Sequence, residues 1–233
     1  RDYISKNSYM FVTSDIYRMI FSSLLNIDPK KIFVTGQSRT DTIFKGREQK
    51  IMDLFKLNGY KHIVLYMPTY KSRPTGNDTD TFFDNIFYLD KYTDSDFLNF
   101  LESNEILFII KPHPFEEKDF KNRISKTSIS KHSNVRILYE NELSKNNIFL
   151  NEFLTISDLM ISDFSSVTID YIMLNKPILY LSNYLEQYKQ GRGFILPDNY
   201  KIMMPGENVC DYENLKNKTL ECINNKKAPG SGT

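Results

Sequence analysis

Short, near-continuous apolar runs recur along the chain, at 9–13, 31–35, 62–66, 106–110, 135–138, 159–161 and 177–181. Rich in Ile, Leu, Val, Phe and Tyr, they have the pattern of strands covered on both faces. Amphipathic stretches with helical spacing separate them. Residues 14–25 place Ile16, Met19, Ile20 and Leu24 on one face, and 47–57 do the same with Ile51, Leu54 and Phe55. Further helical segments are predicted over 95–101, 115–125, 149–155, 165–174 and 212–224. Strand–helix alternation with short connections predicts an α/β fold, a parallel doubly wound sheet flanked by helices. Two longer polar segments, 71–90 and 183–204, interrupt the rhythm and read as loops.

In such a sheet ligands gather at the carboxyl ends of the strands, so the residues that follow each strand carry the candidate chemistry. "GQSRTD" follows the second strand, "MPTYKSRP" the third, "KPHPFEE" the fourth and "SDFSSVTID" the sixth. They bring Arg39, then Thr69, Tyr70 and Lys71, then Lys111 and His113, and finally Asp163, Ser165 and Ser166 to the ligand side. Cations, hydroxyls and a histidine together suit an anion. Pro112 and Pro114 stiffen the turn around His113, a candidate proton donor or acceptor, or a cation beside a diphosphate. His62 and His132 lack that setting and read as structural or solvated.

Ser165 and Ser166 fit two accounts: N-caps of the helix that follows, or hydroxyls that join helix N–H groups in holding a phosphate. Asp163 and Asp170 cannot both face that phosphate without repulsion, so one of them should orient backbone or hydroxyl groups instead. Arg39 and Asp41 are close enough in sequence to pair locally. After the tight "PGE" turn, Glu207 is placed to accept a hydrogen bond from a ribose hydroxyl.

Composition narrows the partners. The 233 residues are 40% hydrophobic and 25% charged, which suffices for a sizeable core and argues against disorder. A net charge of +1 provides no field for nucleic acid. Cys210 and Cys222 have no metal-ligand spacing, and so few cysteines point to a reducing cytoplasm rather than a disulfide-built fold. No apolar run approaches the ~20 residues that span a bilayer. GxxxxGK[ST] and GxGxxG are both missing from the sequence, and "DTD" at 78–80 lies in the polar loop. Any nucleotide would be held by loop ends and a helix start, with no metal and no cofactor. Arg1 is not a natural start and "APGSGT" at 228–233 reads as an added tail, so the chain is expected to be a fragment.

The ordered set "VTGQSRTD", "YMPTYKSRP", "FIIKPHP", "ISDFSSVTIDYIMLNKPILYL" and "PGE" resembles the C-terminal half of the CDP-glycerol glycerophosphotransferases, over roughly residues 32–210. These teichoic acid and capsule polymerases transfer glycerol phosphate from CDP-glycerol onto a growing polymer. The resemblance implies a Rossmann-like domain, the C-terminal half of a glycosyltransferase-B architecture, with CDP-glycerol as donor and a polyol-phosphate polymer as acceptor. It implies that His113 lies at the CDP diphosphate as the catalytic residue, cationic in the transfer. Ser165 and Ser166 would hold the phosphate, Arg39, Thr69 and Lys71 would surround the donor, and Glu207 would touch the ribose. Work at the cytoplasmic face of the bacterial membrane, by peripheral contact, is a further implication.

By the same resemblance, residues 1–44 are the last strand–helix unit of an N-terminal half and the crossover, 45–227 the donor-binding domain, and 228–233 a tail. Family members carry a Trp-His-Gly motif in that N-terminal half, whose histidine is the favoured general base. This chain has no tryptophan, and its first histidine is His62. A fragment that binds donor without turning it over is therefore one alternative. The other is a UDP-sugar transferase or non-hydrolysing UDP-GlcNAc 2-epimerase of the same fold. Those generally prefer a glycine pair where this chain has Ser165 and Ser166.

Overall fold

The computed structural model describes residues 8–69, 86–87, 89–183, 185, 204 and 206–225. The chain divides into two compact units, Arg1–Lys45 and Gly46–Thr233. In the first, β1 (Met10–Val12) pairs in parallel with β2 (Ile32–Val34), Met10 opposite Ile32. The crossover between them is α1 (Asp15–Leu25). Its start is fixed by the Ser14 side chain, which accepts the Tyr17 N–H at 3.3 Å, and its end by Asn26 in the left-handed region. The apolar stripe read from the sequence stays exposed, Ile16, Met19 and Leu24 each by more than 60%. A 3-10 run, Ser38–Lys45, carries Arg39 and Asp41.

The second unit is built on six parallel strands. In chain order they are β3 (His62–Met67), β4 (Ile106–Ile110), β5 (Val135–Ile137), β6 (Leu159–Ser162), β7 (Ile178–Leu181) and β8 (Glu207–Val209). Across the sheet they run β5-β4-β3-β6-β7-β8. Succession grows outward from β3 on one side and from β6 on the other, so the topological switch lies between these two central strands. Every position of β3 and β4 is buried, as their unbroken apolar runs require.

Successive side chains alternate between two cores, one on each face. Val64, Tyr66, Phe108 and Ile161 meet Phe97 and Leu101 of α3 (Asp94–Ser103), Ile124 of α4 (Glu117–Ile124) and Leu215 of the C-terminal helix α8 (Tyr212–Asn225). Ile63, Leu65, Leu107 and Met160 meet the opposite layer. That layer contributes Ile51 of α2 (Glu48–Leu54), Leu143 of α5 (Glu140–Lys145), Phe153 of α6 (Leu150–Leu154) and Tyr171 of α7 (Val167–Tyr171).

Two elements exceed the sequence reading and one is smaller. β8 forms where a turn was expected, and α5 where no helix was. The helix predicted over 165–174 is only five residues of α-helix followed by a 3-10 turn, Ile172–Leu174. A helix this short carries little macrodipole, so anion binding at its start depends on local N–H and hydroxyl donors.

Candidate functional site

The carboxyl ends of β3 and β6 lie side by side, Met67 opposite Ser162, and three groups tie them together. The Ser162 hydroxyl donates to the Met67 carbonyl at 2.6 Å. The Thr69 N–H donates to both carboxylate oxygens of Asp163, at 2.8 and 2.9 Å, and the Thr69 hydroxyl also donates to Asp163. Asp163 is only 2% exposed. A buried carboxylate needs such donors, and here they come from the loop after the neighbouring strand. Asp163 thus fixes where the β3 loop leaves the sheet. Tyr70 and Lys71, next in that loop, lie outside the described residues.

Ser165 and Ser166 follow at the start of α7. Ser166 occupies the N-cap position, yet its side chain makes no capping bond. Among the described residues neither serine hydroxyl has a hydrogen-bond partner, although the Ser165 carbonyl accepts the Thr168 hydroxyl at 2.8 Å. Capping alone does not account for this pair. Asp170 is buried in the first turn of α7.

On the other side of β3, the backbone of Lys111 continues the β4 pairing, its N–H donating to the Tyr66 carbonyl at 2.9 Å. The side chain of Lys111 is 2% exposed, with Nζ 2.9 Å from Glu140 and 3.9 Å from Glu117. Glu117 in turn accepts the Glu140 N–H at 2.7 Å. The ammonium expected to face a ligand is committed to these carboxylates and locks β4 to the starts of α4 and α5. His113 caps the 3-10 turn Pro114–Glu116, Nδ1 accepting the Phe115 N–H at 3.2 Å.

Glu207 opens β8, beginning an edge strand rather than ending one. Its carboxylate lies 2.7 Å from Lys218 Nζ on α8, an interaction that competes with the expected ribose contact. Arg39 belongs to the first unit. The structure therefore brings Thr69 and Asp163 into contact, sets Ser165 and Ser166 just beyond them, and places Lys111 and His113 at the end of the adjoining strand. The sequence reading missed Ser162, Glu117 and Glu140. Ser162 ends the sixth apolar run, and the Tyr139–Glu142 capping box before α5 was the available signal for Glu140. Among the described residues, no group of His, Cys, Asp and Glu could hold a metal ion, and no helix is long and apolar enough to cross a membrane.

The model of the CDP-glycerol:poly(glycerophosphate) glycerophosphotransferase family matches residues 1–229. The chain belongs to this family. It is 28% identical over 225 residues to the teichoic acid glycerol-phosphate primase of Bacillus subtilis (strain 168), covering 96% of this chain and 51% of that protein. With the teichoic acid ribitol-phosphate polymerase TarL of Staphylococcus aureus it shares 26% identity over 236 residues, 98% of this chain and 38% of TarL. The chain thus spans about half the length, or less, of these curated relatives.

Two solved structures share the fold. The wall teichoic acid polymerase TagF has a TM-score of 0.65 at 22% identity, over 94% of this chain and 50% of TagF. The UDP-GlcNAc 2-epimerase of Methanocaldococcus jannaschii has a TM-score of 0.54 at 18% identity, over 94% and 56%. The Rossmann-like α/β architecture expected from the sequence is the one observed. At its switch point Thr69 meets Asp163, with Ser165 and Ser166 just beyond.

Proposed function

We propose that this chain is the donor-binding half of a glycerophosphotransferase that moves glycerol phosphate from CDP-glycerol to a teichoic-acid-type polymer, releasing CMP. The observation that carries this reading is the pair of hydroxyls at Ser165 and Ser166, unengaged among the described residues and set beside the switch point by the Asp163–Thr69 clasp. Hydroxyls, backbone N–H groups and a histidine match phosphate oxygens directly. The buried Asp163 carboxylate, a group able to bind a divalent ion, is occupied by Thr69, which favours a metal-independent site.

In the transfer, a terminal hydroxyl of the polymer attacks the β-phosphorus of CDP-glycerol. A new P–O bond forms, the bond to the bridging oxygen breaks, and CMP leaves with that oxygen. The attacking hydroxyl gives its proton to a base that, on this reading, lies outside this half. Ser165, Ser166, Thr69, Tyr70, Lys71 and His113 would orient the diphosphate. Such positioning and charge stabilisation supply most of the catalysis in phosphoryl transfer. Lys111 and Asp163 hold these loops in place. The full-length enzyme would work peripherally at the cytoplasmic membrane face, where its polymer acceptor grows.

Calorimetric titration of the chain with CDP-glycerol, CDP-ribitol and UDP-GlcNAc tests the reading. CDP-glycerol should bind best, and a chelator should not weaken it. Selective binding of UDP-GlcNAc would instead support the epimerase-like chemistry of the same fold.

A further inference from the structure

The turn after β4 is closed at its base by charge. Lys111 leaves the sheet with its backbone still in the ladder, its N–H donating to the Tyr66 carbonyl at 2.9 Å. Residues 112–116 make the turn, and Glu117 then opens α4 with its carboxylate 3.9 Å from Lys111 Nζ. Within the turn, Pro112 and Pro114 fix two φ angles, and the His113 carbonyl accepts the Glu116 N–H at 2.8 Å.

The same charges reach the next strand. Leu138, just past β5, donates its N–H to the Ile110 carbonyl at 2.9 Å, and Glu140 opens α5. The Glu140 carboxylate lies 2.9 Å from Lys111 Nζ, and the Glu140 N–H donates to the Glu117 carboxylate at 2.7 Å. Lys111, Glu117 and Glu140 thus each meet the other two. The Lys111 side chain is 2% exposed and that of Glu140 47%, so the carboxylate and not the ammonium is the solvent side of the pair. An ammonium that swung out to a ligand would leave both carboxylates without their cation, and breaking a buried pair in this way is strongly unfavourable.

We propose that Lys111 is a positioning residue for donor binding and not a phosphate ligand: with Glu117 and Glu140 it fixes where the 112–116 turn stands at the ligand edge of the sheet. This rests on the donor-binding reading above. It makes Glu140, on an element that carries no family motif, a determinant of donor affinity.

Calorimetry with CDP-glycerol at several KCl concentrations tests the assignment, with each variant first shown to be folded by circular dichroism. Lys111→Met leaves two carboxylates facing each other, and binding should weaken about tenfold with the same dependence on KCl as wild type. Adding Glu140→Gln removes the surplus charge and offers an amide donor to Glu117, so affinity should return to within about threefold of wild type. Were Lys111 a phosphate ligand, its loss would flatten the KCl dependence and the second change would recover nothing. Either of those results, or wild-type affinity in Lys111→Met, would overturn the proposal. Should Lys111→Met fail to fold, Glu140→Ala at its half-exposed position takes its place. Binding should then weaken about two- to fivefold, and unchanged affinity would equally overturn the proposal. Amide hydrogen exchange gives a readout without ligand: the Glu116 N–H should exchange faster in Glu140→Ala than in wild type, because the turn loosens. If the wild type does not bind CDP-glycerol, the donor-binding reading falls instead, and unchanged exchange at Glu116 is then the result that refutes the clasp.

Discussion

The two ends of the β3–β6 pair use the same device for different purposes. Before β6, Asp158 accepts the Ile63 N–H of β3 at 2.9 Å; after β6, Asp163 accepts the Thr69 N–H at 2.8 and 2.9 Å. At the first end Ser157 and Lys176 are consumed by the fold. Ser157 donates to the Leu154 carbonyl at 2.9 Å and meets the Tyr171 hydroxyl at 3.0 Å. Lys176 Nζ donates to the carbonyls of Thr155 and Ser157, at 2.6 and 2.7 Å. At the second end the hydroxyls of Ser165 and Ser166 bond nothing among the described residues. On the proposed reading, the open donors beside Asp163 are the ones a ligand would take.

Removing each bridge gives the largest expected contrast. Asp163→Ala strips a buried acceptor from the Thr69 N–H, an effect of about 1–3 kcal/mol on stability. It also frees the β3 loop, so CDP-glycerol binding should fall by more than about tenfold, on the scale of losing several oriented contacts. Asp158→Ala, partly exposed at the other end, should cost about 1 kcal/mol and leave binding unchanged. Urea titration and calorimetry on both variants check the pair. Wild-type affinity in Asp163→Ala would erase the distinction between the ends.

A smaller effect is expected at Lys176, on the closed end. Lys176→Met leaves two carbonyls of the α6–β6 connection without their donor and should destabilise by about 1–2 kcal/mol, with CDP-glycerol binding unaffected. Burial holds the Lys176 ammonium below its ordinary value of 10.5, while the charges of Asp158 and Glu48 work the other way. With the folded pKa below the unfolded one, the unfolded chain binds more protons between the two values. Stability contributed by this group therefore rises with pH through that window, up to about 10.5. The difference in unfolding free energy between wild type and Lys176→Met should widen as pH rises there. A difference that stays constant with pH would mean the lysine titrates alike in both states.

The sequence made the central strands legible because they are buried on both faces: β3 and β4 end within one residue of where their apolar runs end. Edge elements were opaque for equally physical reasons. β8 has one buried residue, Val209, and forms because Gly206 lets the backbone pass β7. A Cβ at that position would sit 2.5 Å from the Ile178 carbonyl oxygen. Leu143 is the only buried residue of α5, whose signal is a capping box rather than an apolar period. The residues that follow each central strand could be read from the apolar runs alone. The charge partners that decide which residues are available could not, because Glu140 meets Lys111, and Lys218 meets Glu207, only through the tertiary fold. Arg39 was grouped with the others by motif order, yet it lies in the separate first unit.

The smallest stability effect is expected from the serines, and its smallness is the informative part. Were Ser166 the cap of α7, Ser166→Ala would cost about 1 kcal/mol. Its hydroxyl makes no capping bond, so Ser165→Ala and Ser166→Ala should each stay within about 0.5 kcal/mol of wild type in urea unfolding. Donor binding should respond in the opposite proportion. Each lost hydroxyl should weaken CDP-glycerol binding about three- to tenfold, the scale of one hydrogen bond to a phosphate oxygen. Thr168→Val is the matched control, since its hydroxyl is already spent on the Ser165 carbonyl. That variant should lose stability and keep affinity. Destabilised serine variants with unchanged affinity would return Ser165 and Ser166 to the role of helix caps, and the open end of the β3–β6 pair would then be as structural as the closed one.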